Sequence, residues 1–137
     1  MNFRGLLRLL CFLAVAPLAN AAAVASKTVH VTAEAMRIES DITEFQVGVP
    51  YHFVVTNKGV IDHEVMLIEP LAEGSVSNQK MDDLALGIAE AEALRPGATV
   101  VFDYTFKVAD LDSSLELACH VPGHYRAGMK LAIKVVR

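Results

Sequence analysis

Cysteine is scarce in this sequence: there are two in 137 residues, and one of them, Cys11, lies inside the first apolar run. Positive charge is also in deficit. Twelve Lys and Arg stand against 16 Asp and Glu, for a formal charge of −4. Phosphate recognition needs clustered lysine and arginine, so this balance argues against a nucleic-acid partner. No basic amphipathic stretch is present, which excludes a helix lying on a membrane surface. Internal repeats, linkers and low-complexity blocks are missing, and 53% hydrophobic with 20% charged residues suits one folded domain. There is no glycine-rich phosphate loop, no serine-nucleophile motif and no His-Glu-x-x-His helix.

The apolar run Leu9–Leu18 is too short to cross a bilayer, which takes roughly 20 residues. It follows a short basic start with Arg4 and Arg8 and leads into Ala19-Asn20-Ala21. That is the layout of a secretory signal peptide cleaved near Ala21. Cys11 sits within the run rather than at its exit, which argues against a lipid-anchored cysteine. The expected division is therefore a signal over residues 1–21 and a single domain over 22–137. No membrane span remains after cleavage, and the location is periplasmic or otherwise exported. Cleavage removes two arginines and no acid, so the charge falls from −4 to −6. It also leaves one cysteine, Cys119, in a compartment where thiols pair. A lone exported cysteine is a free reactive thiol, an intermolecular bridge or a metal ligand.

Beyond residue 26 most segments alternate with period two, and β-branched and aromatic residues are frequent, as in strands. Strands are predicted over Thr28–Ala33, Met36–Glu39 (a continuation of the first or a separate strand), Thr43–Val47, Tyr51–Thr56, His63–Glu69, Thr99–Lys107, Leu115–His120 and Met129–Val136. His63–Glu69 is apolar on both faces and so central. In Thr99–Lys107, Val100, Phe102, Tyr104 and Phe106 share the inner face. The stretch Leu71–Pro96 differs. Asn78–Leu86 reads as a short helix burying Met81, while Ile88–Leu94 suits either more helix or an edge strand. Seven or eight short strands with one helical or irregular insertion near 71–96 make an all-β sandwich.

The chemistry concentrates in Cys119-His120-Val121-Pro122-Gly123-His124-Tyr125-Arg126-Ala127-Gly128-Met129. Cys119 closes one strand, His124 sits in a Pro-Gly loop and Met129 opens the next strand. A strand–loop–strand hairpin brings these ends together, so a thiol, an imidazole and a thioether can converge. His63, opening an earlier strand after Asn57–Asp62, is the natural fourth member. Two imidazoles, a thiolate and a weak thioether are the donor set of a blue-copper site. Each residue has a plainer reading: Cys119 as a buried structural thiol, Met129 as core filling, His63 and His124 as loop histidines. The joint spacing favours ligands. His120, next to Cys119, is sent to the opposite face by strand geometry. His30 and His52 read as surface residues, and Met36, Met66 and Met81 as core.

The sequence resembles the cupredoxins, small blue-copper proteins that include plastocyanin, azurin and auracyanin. The likeness covers most of residues 22–137 and is strongest over Asn57–Ile68 and Leu115–Val135. The Cys-x₄-His-x₄-Met spacing is most similar to auracyanin. The resemblance implies a Greek-key β-sandwich with one mononuclear copper held by His63, Cys119, His124 and Met129. It implies a monomeric one-electron carrier rather than an enzyme. Its partners would be redox proteins of cytochrome or oxidase type, met through an apolar patch around His124 that includes Pro122, Gly123, Tyr125, Ala127 and Gly128. One position departs from the pattern. Plastocyanin- and azurin-like members commonly have Asn after the first ligand histidine, where it ties the ligand loops together; here it is Glu64. On a strand its side chain should face away from His63. A second class of function fits the same residues: a periplasmic copper-binding or copper-resistance protein that stores or delivers the ion. Copper oxidases and nitrite reductases need further copper centres, which one such donor set does not supply.

Overall fold

Alternating side chains build most of the structure, a computed structural model that describes residues 24–137. The expected signal peptide and its cleavage point lie outside the described residues. β1 (Lys27–Glu34) buries Val29, Val31 and Ala33, and β4 (Pro50–Asn57) buries Tyr51, Phe53 and Val55. The two strands run parallel with Val29 opposite Phe53 and Val31 opposite Val55, so both inner faces are apolar at every second residue. β2 (Arg37–Ser40) folds back on β1 through Ala35 and Met36, both at positive φ (47° and 61°). Two successive left-handed residues match the right-handed twist of a tight hairpin. β7 (Thr99–Thr105) closes this sheet on the other side of β4, giving the order β2-β1-β4-β7.

The second sheet is β3-β9-β8-β5-β6. β3 spans Glu44–Gln46, β5 Val65–Ile68, β6 Gly87–Ala89, β8 Leu115–Ala118 and β9 Lys130–Val136. β5 and β8 are buried on both faces, as the sequence predicts for the first of them. Their inner residues Val65, Leu67, Leu115, Leu117 and Cys119 join the core between the sheets. Their outer residues Met66, Ile68 and Ala118 form a second cluster with Met81 and Tyr125. Met81 comes from α1 (Asn78–Leu84), the predicted helix, which starts at a Ser77 cap that accepts from the Lys80 N–H.

The described residues hold nine strands, the eight predicted plus β6. β6 makes the first two residues of the open segment an edge strand, with Val65 paired to Ala89 and Met66 to Ile88, while residues 90–94 form a turn, neither strand nor helix. No helix among the described residues is long and apolar enough to cross a membrane. Phe45 sits at the centre of the core, with ring centroids 4.9 Å from Tyr51, 5.5 Å from Phe53 and 4.9 Å from Phe106. Replacing it removes one side of three aromatic contacts and leaves a cavity. Phe45→Ala should lower stability by about 3–5 kcal/mol in urea unfolding, whereas Val101→Ala, on a half-exposed side chain, should change it by well under half that. Equal costs for the two would refute this placement of the core.

Candidate metal centre

Two loops meet at one end of the sandwich. The first, between β4 and β5, carries His63 and is shaped by Asn57. The Asn57 amide donates to the Ile61 carbonyl (2.8 Å) and the Leu94 carbonyl (2.9 Å), and its Oδ1 accepts from the Gly59 N–H (2.8 Å). Asn57 is fully buried, so each bond replaces one that water would otherwise supply. Gly59 packs against the imidazole: a Cβ there would lie 3.1 Å from His63 Nε2.

The second loop follows β8 and carries Cys119, whose N–H donates to the Met129 carbonyl (3.0 Å) and extends the β8–β9 ladder. The same loop turns back through His124 to Met129 and into β9. The His124 N–H donates to Val121 O (2.9 Å), and the Met129 N–H to His124 O (3.1 Å). Gly123 and Gly128 take φ of +89° and +93°, the left-handed conformation these turns require. Glu73 clamps the loop from outside, accepting from the Gly123 N–H (2.9 Å) and from Arg126 Nε (3.2 Å).

The result is a buried cluster. His63 Nδ1 lies 3.3 Å from His124 Nδ1, which lies 3.3 Å from Cys119 Sγ. One donor atom from each of the three residues falls within 4.8 Å of the others, the one such group of His, Cys, Asp and Glu among the described residues. Met129 is wholly buried in the same core cluster as Cys119, with its backbone bonded to both Cys119 and His124. Burial pushes the Cys119 thiol up, against the pull of the Glu64 and Val121 N–H groups; the Glu64 N–H reaches Sγ at 3.4 Å. Burial also holds His63 below the usual imidazole range, helped by His124, with Asp62 opposing. The cluster thus favours a neutral imidazole and a thiol whose proton a cation can replace.

The donor set fits copper. His63 Nε2 is buried with no partner, while its Nδ1 faces His124 Nδ1, which in turn faces the thiol. Two imidazoles and a thiol, with the buried Met129 thioether just ahead of β9, are ligand types that suit copper.

Other sequence readings resolve individually. His120 turns to the opposite face from Cys119, as expected, and stacks on Tyr125 (4.5 Å, 14°). That stack corrects one expectation: Tyr125 is buried, its hydroxyl donating to Glu116 (2.6 Å), and takes no part in a surface patch. His124 is itself 8% exposed. Glu64, just ahead of β5 rather than within the strand expected from His63, turns its carboxylate to the His120 backbone, Oε1 accepting the His120 N–H at 3.0 Å. It therefore ties the first and second loops, the part that Asn plays at this position in the resembled proteins. Burial raises the Glu64 carboxyl, and the charges of Asp82, Glu92 and Glu90 raise it further. Asn57, Glu73 and the exposed Val60 and Ile61 were not singled out from sequence. A small polar residue closing a strand before Lys-Gly was the one available signal, for Asn57.

No protein-family model matches the chain. The chain is 32% identical over 119 residues to the copper-resistant cuproprotein CopI of Vibrio cholerae, covering 82% of this chain and 68% of that protein. It is 32% identical over 111 residues to the copper-resistant cuproprotein CopI of Rubrivivax gelatinosus, covering 79% and 66%. It therefore spans about two thirds of the length of these relatives. Among solved structures, dithionite-reduced auracyanin from Roseiflexus castenholzii superposes with a TM-score of 0.60 at 18% identity, over 82% of this chain and 99% of auracyanin.

Asn57 offers a direct test of how the first loop is held. Asn57→Ala removes two buried donors and one acceptor and should cost about 2–4 kcal/mol of stability, with faster amide exchange at Gly59. Unchanged exchange at Gly59 would show that the loop is held by other contacts.

Proposed function

The chain belongs to the CopI family of cuproproteins and has the cupredoxin fold, and from that premise we propose that it is an exported, monomeric copper protein that accepts and returns one electron. His63, Cys119, His124 and Met129 would hold a single type 1 copper. The observation that carries this reading is the buried trio of His63, Cys119 and His124, whose donor atoms all lie within 4.8 Å of one another. Copper bound there supplies a Cu(I)/Cu(II) couple.

The chain's own residues keep the donors in place. Asn57 fixes the His63 loop, Glu64 joins that loop to the Cys119 loop, and Glu73 braces the His124 turn. A site held from three sides rearranges little between redox states. The apolar core around Cys119 and Met129 keeps water away from the sulfurs. Val60 is 91% exposed, and Ile61, Pro122, Ala127 and Gly128 are exposed on the same two loops that meet at His63 and His124. These residues offer a small apolar face of the kind transient redox encounters use. Partners would be redox proteins, and the chain itself would catalyse no substrate turnover.

The relatives favour a second reading. Both carry the name copper-resistant cuproprotein, so storing or delivering copper is an alternative use of the same residues. Residues 1–21 as a cleaved export signal and 22–137 as the mature domain belong to both readings.

Cu(II) added to the purified protein should give an intense blue or green thiolate-to-copper band, and Cys119→Ser should abolish it. A colourless wild type with no Cu(I) binding would overturn the copper reading. Slow copper release with fast electron self-exchange supports the electron carrier, whereas rapid release to a chelator with slow self-exchange supports delivery.

A further inference from the structure

A second collection of donors lies on the other side of the β5–β8 sheet. An open cleft of about 480 Å³ runs beside α1 and the loops after β6 and β8. Asp62, Glu64, Asp82, Glu90 and Glu92 line it, with no lysine or arginine. Met66, Met81 and His120 line it too. Met66 is 1% exposed, Met81 4% and His120 8%. Both ring nitrogens of His120 are buried, and no protein group bonds to either. Its ring face is taken by Tyr125, which leaves the nitrogens to the ring's edge.

Strand register explains why these residues meet. Met66 pairs with Ala118, so their side chains share the outer face of the sheet. His120 stands two residues beyond Ala118 and emerges on that face, diagonally across from Met66. Such diagonal neighbours lie about 7–8 Å apart at Cα, within reach of long side chains. Met81, the buried residue of α1, packs onto the same cluster as Met66, Ala118 and Tyr125.

We propose that His120, Met66 and Met81 form a second copper site, selective for Cu(I), entered through the acidic cleft. Two thioethers are soft donors that suit Cu(I); with one imidazole they serve Mg²⁺ and Ca²⁺ poorly and give Zn²⁺ a single good ligand. A buried imidazole with both nitrogens unpaired is costly, at about 1–3 kcal/mol per orphaned group, and a metal bond relieves it. The carboxylates play a different part. None of them joins a group of three His, Cys, Asp or Glu donor atoms within 4.8 Å among the described residues. They are spread too widely to chelate a hard ion, but together they attract a cation and raise its concentration at the mouth.

Anaerobic titration of the copper-free protein with Cu(I), against a chromophoric Cu(I) chelator, should show two equivalents bound. In methyl-¹³C-methionine NMR, one equivalent should move the Met129 methyl and the other the Met66 and Met81 methyls. Met66→Leu with Met81→Leu preserves apolar volume at small cost to stability. It should weaken the second equivalent at least tenfold while the thiolate band on reoxidation stays unchanged. Cu(I) binding that leaves the Met66 and Met81 methyls static, or that is indifferent to both substitutions, would overturn the proposal. The two sites fail separately: a static Met129 methyl counts against the type 1 reading, and static Met66 and Met81 methyls count against this one.

Discussion

Strand β8 and its continuation impose one constraint on everything around them: successive side chains must leave the sheet on opposite sides. From Leu115 to His120 the alternation is unbroken. Leu115, Leu117 and Cys119 enter the core between the sheets, while Glu116, Ala118 and His120 meet Tyr125, Met66 and Met81 outside it. Cys119 and His120 are covalent neighbours, yet the pleat assigns them to separate environments. The inner one is dry, with donors that belong to a buried cluster. The outer one is half-open and acidic. On the outer side the Tyr125 hydroxyl, its pKa pushed up to about 12 by burial and by its bond to Glu116, stays protonated and donates to that carboxylate.

That division depends on tethers rather than on the ligating side chains. Clustering two imidazoles and a thiol brings little stability before a cation arrives, because each is desolvated and none is paired with an opposite charge. Burial raising Cys119 and lowering His63 expresses the same fact: both are held uncharged. The loops keep their shape because Asn57 makes three bonds, Glu64 spans from the His63 loop to the His120 backbone, and Glu73 grips Gly123 and Arg126. None of these residues belongs to the donor cluster. They are the reason the donors are close.

How much of this was legible in the sequence follows from the range of each interaction. Strands β1, β4 and β7 announce themselves because alternation is local, and Cys119, His124 and Met129 do so because a single hairpin carries all three. β6 was ambiguous because Ile88–Leu94 has the alanine and glutamate content of a helix. Pairing of Ile88 and Ala89 with β5 overrides that preference. The clamp by Glu73 spans 50 residues and the tie from Glu64 to His120 spans 56, so neither leaves a local pattern. Reading Met66 and Met81 as core was right as far as burial goes. Their approach to His120 emerges only from the Met66–Ala118 register and the landing of α1.

The two environments also bear on how one small domain could serve either electron transfer or copper tolerance. An electron carrier benefits from a closed, braced site, and the inner cluster has that character: its three donor residues are each 8% exposed or less. Handling copper as cargo calls for an entrance that attracts cations and donors that release them, and low-coordinate thioether ligation is weaker than thiolate ligation. Five carboxylates beside two thioethers and an unpaired imidazole have that second character. Glu64 stands at the junction. Its N–H bonds to Cys119 Sγ while its carboxylate bonds to the His120 N–H and lines the cleft. Glu64 thus joins the two ligand loops through its backbone and its carboxylate while bordering the cleft.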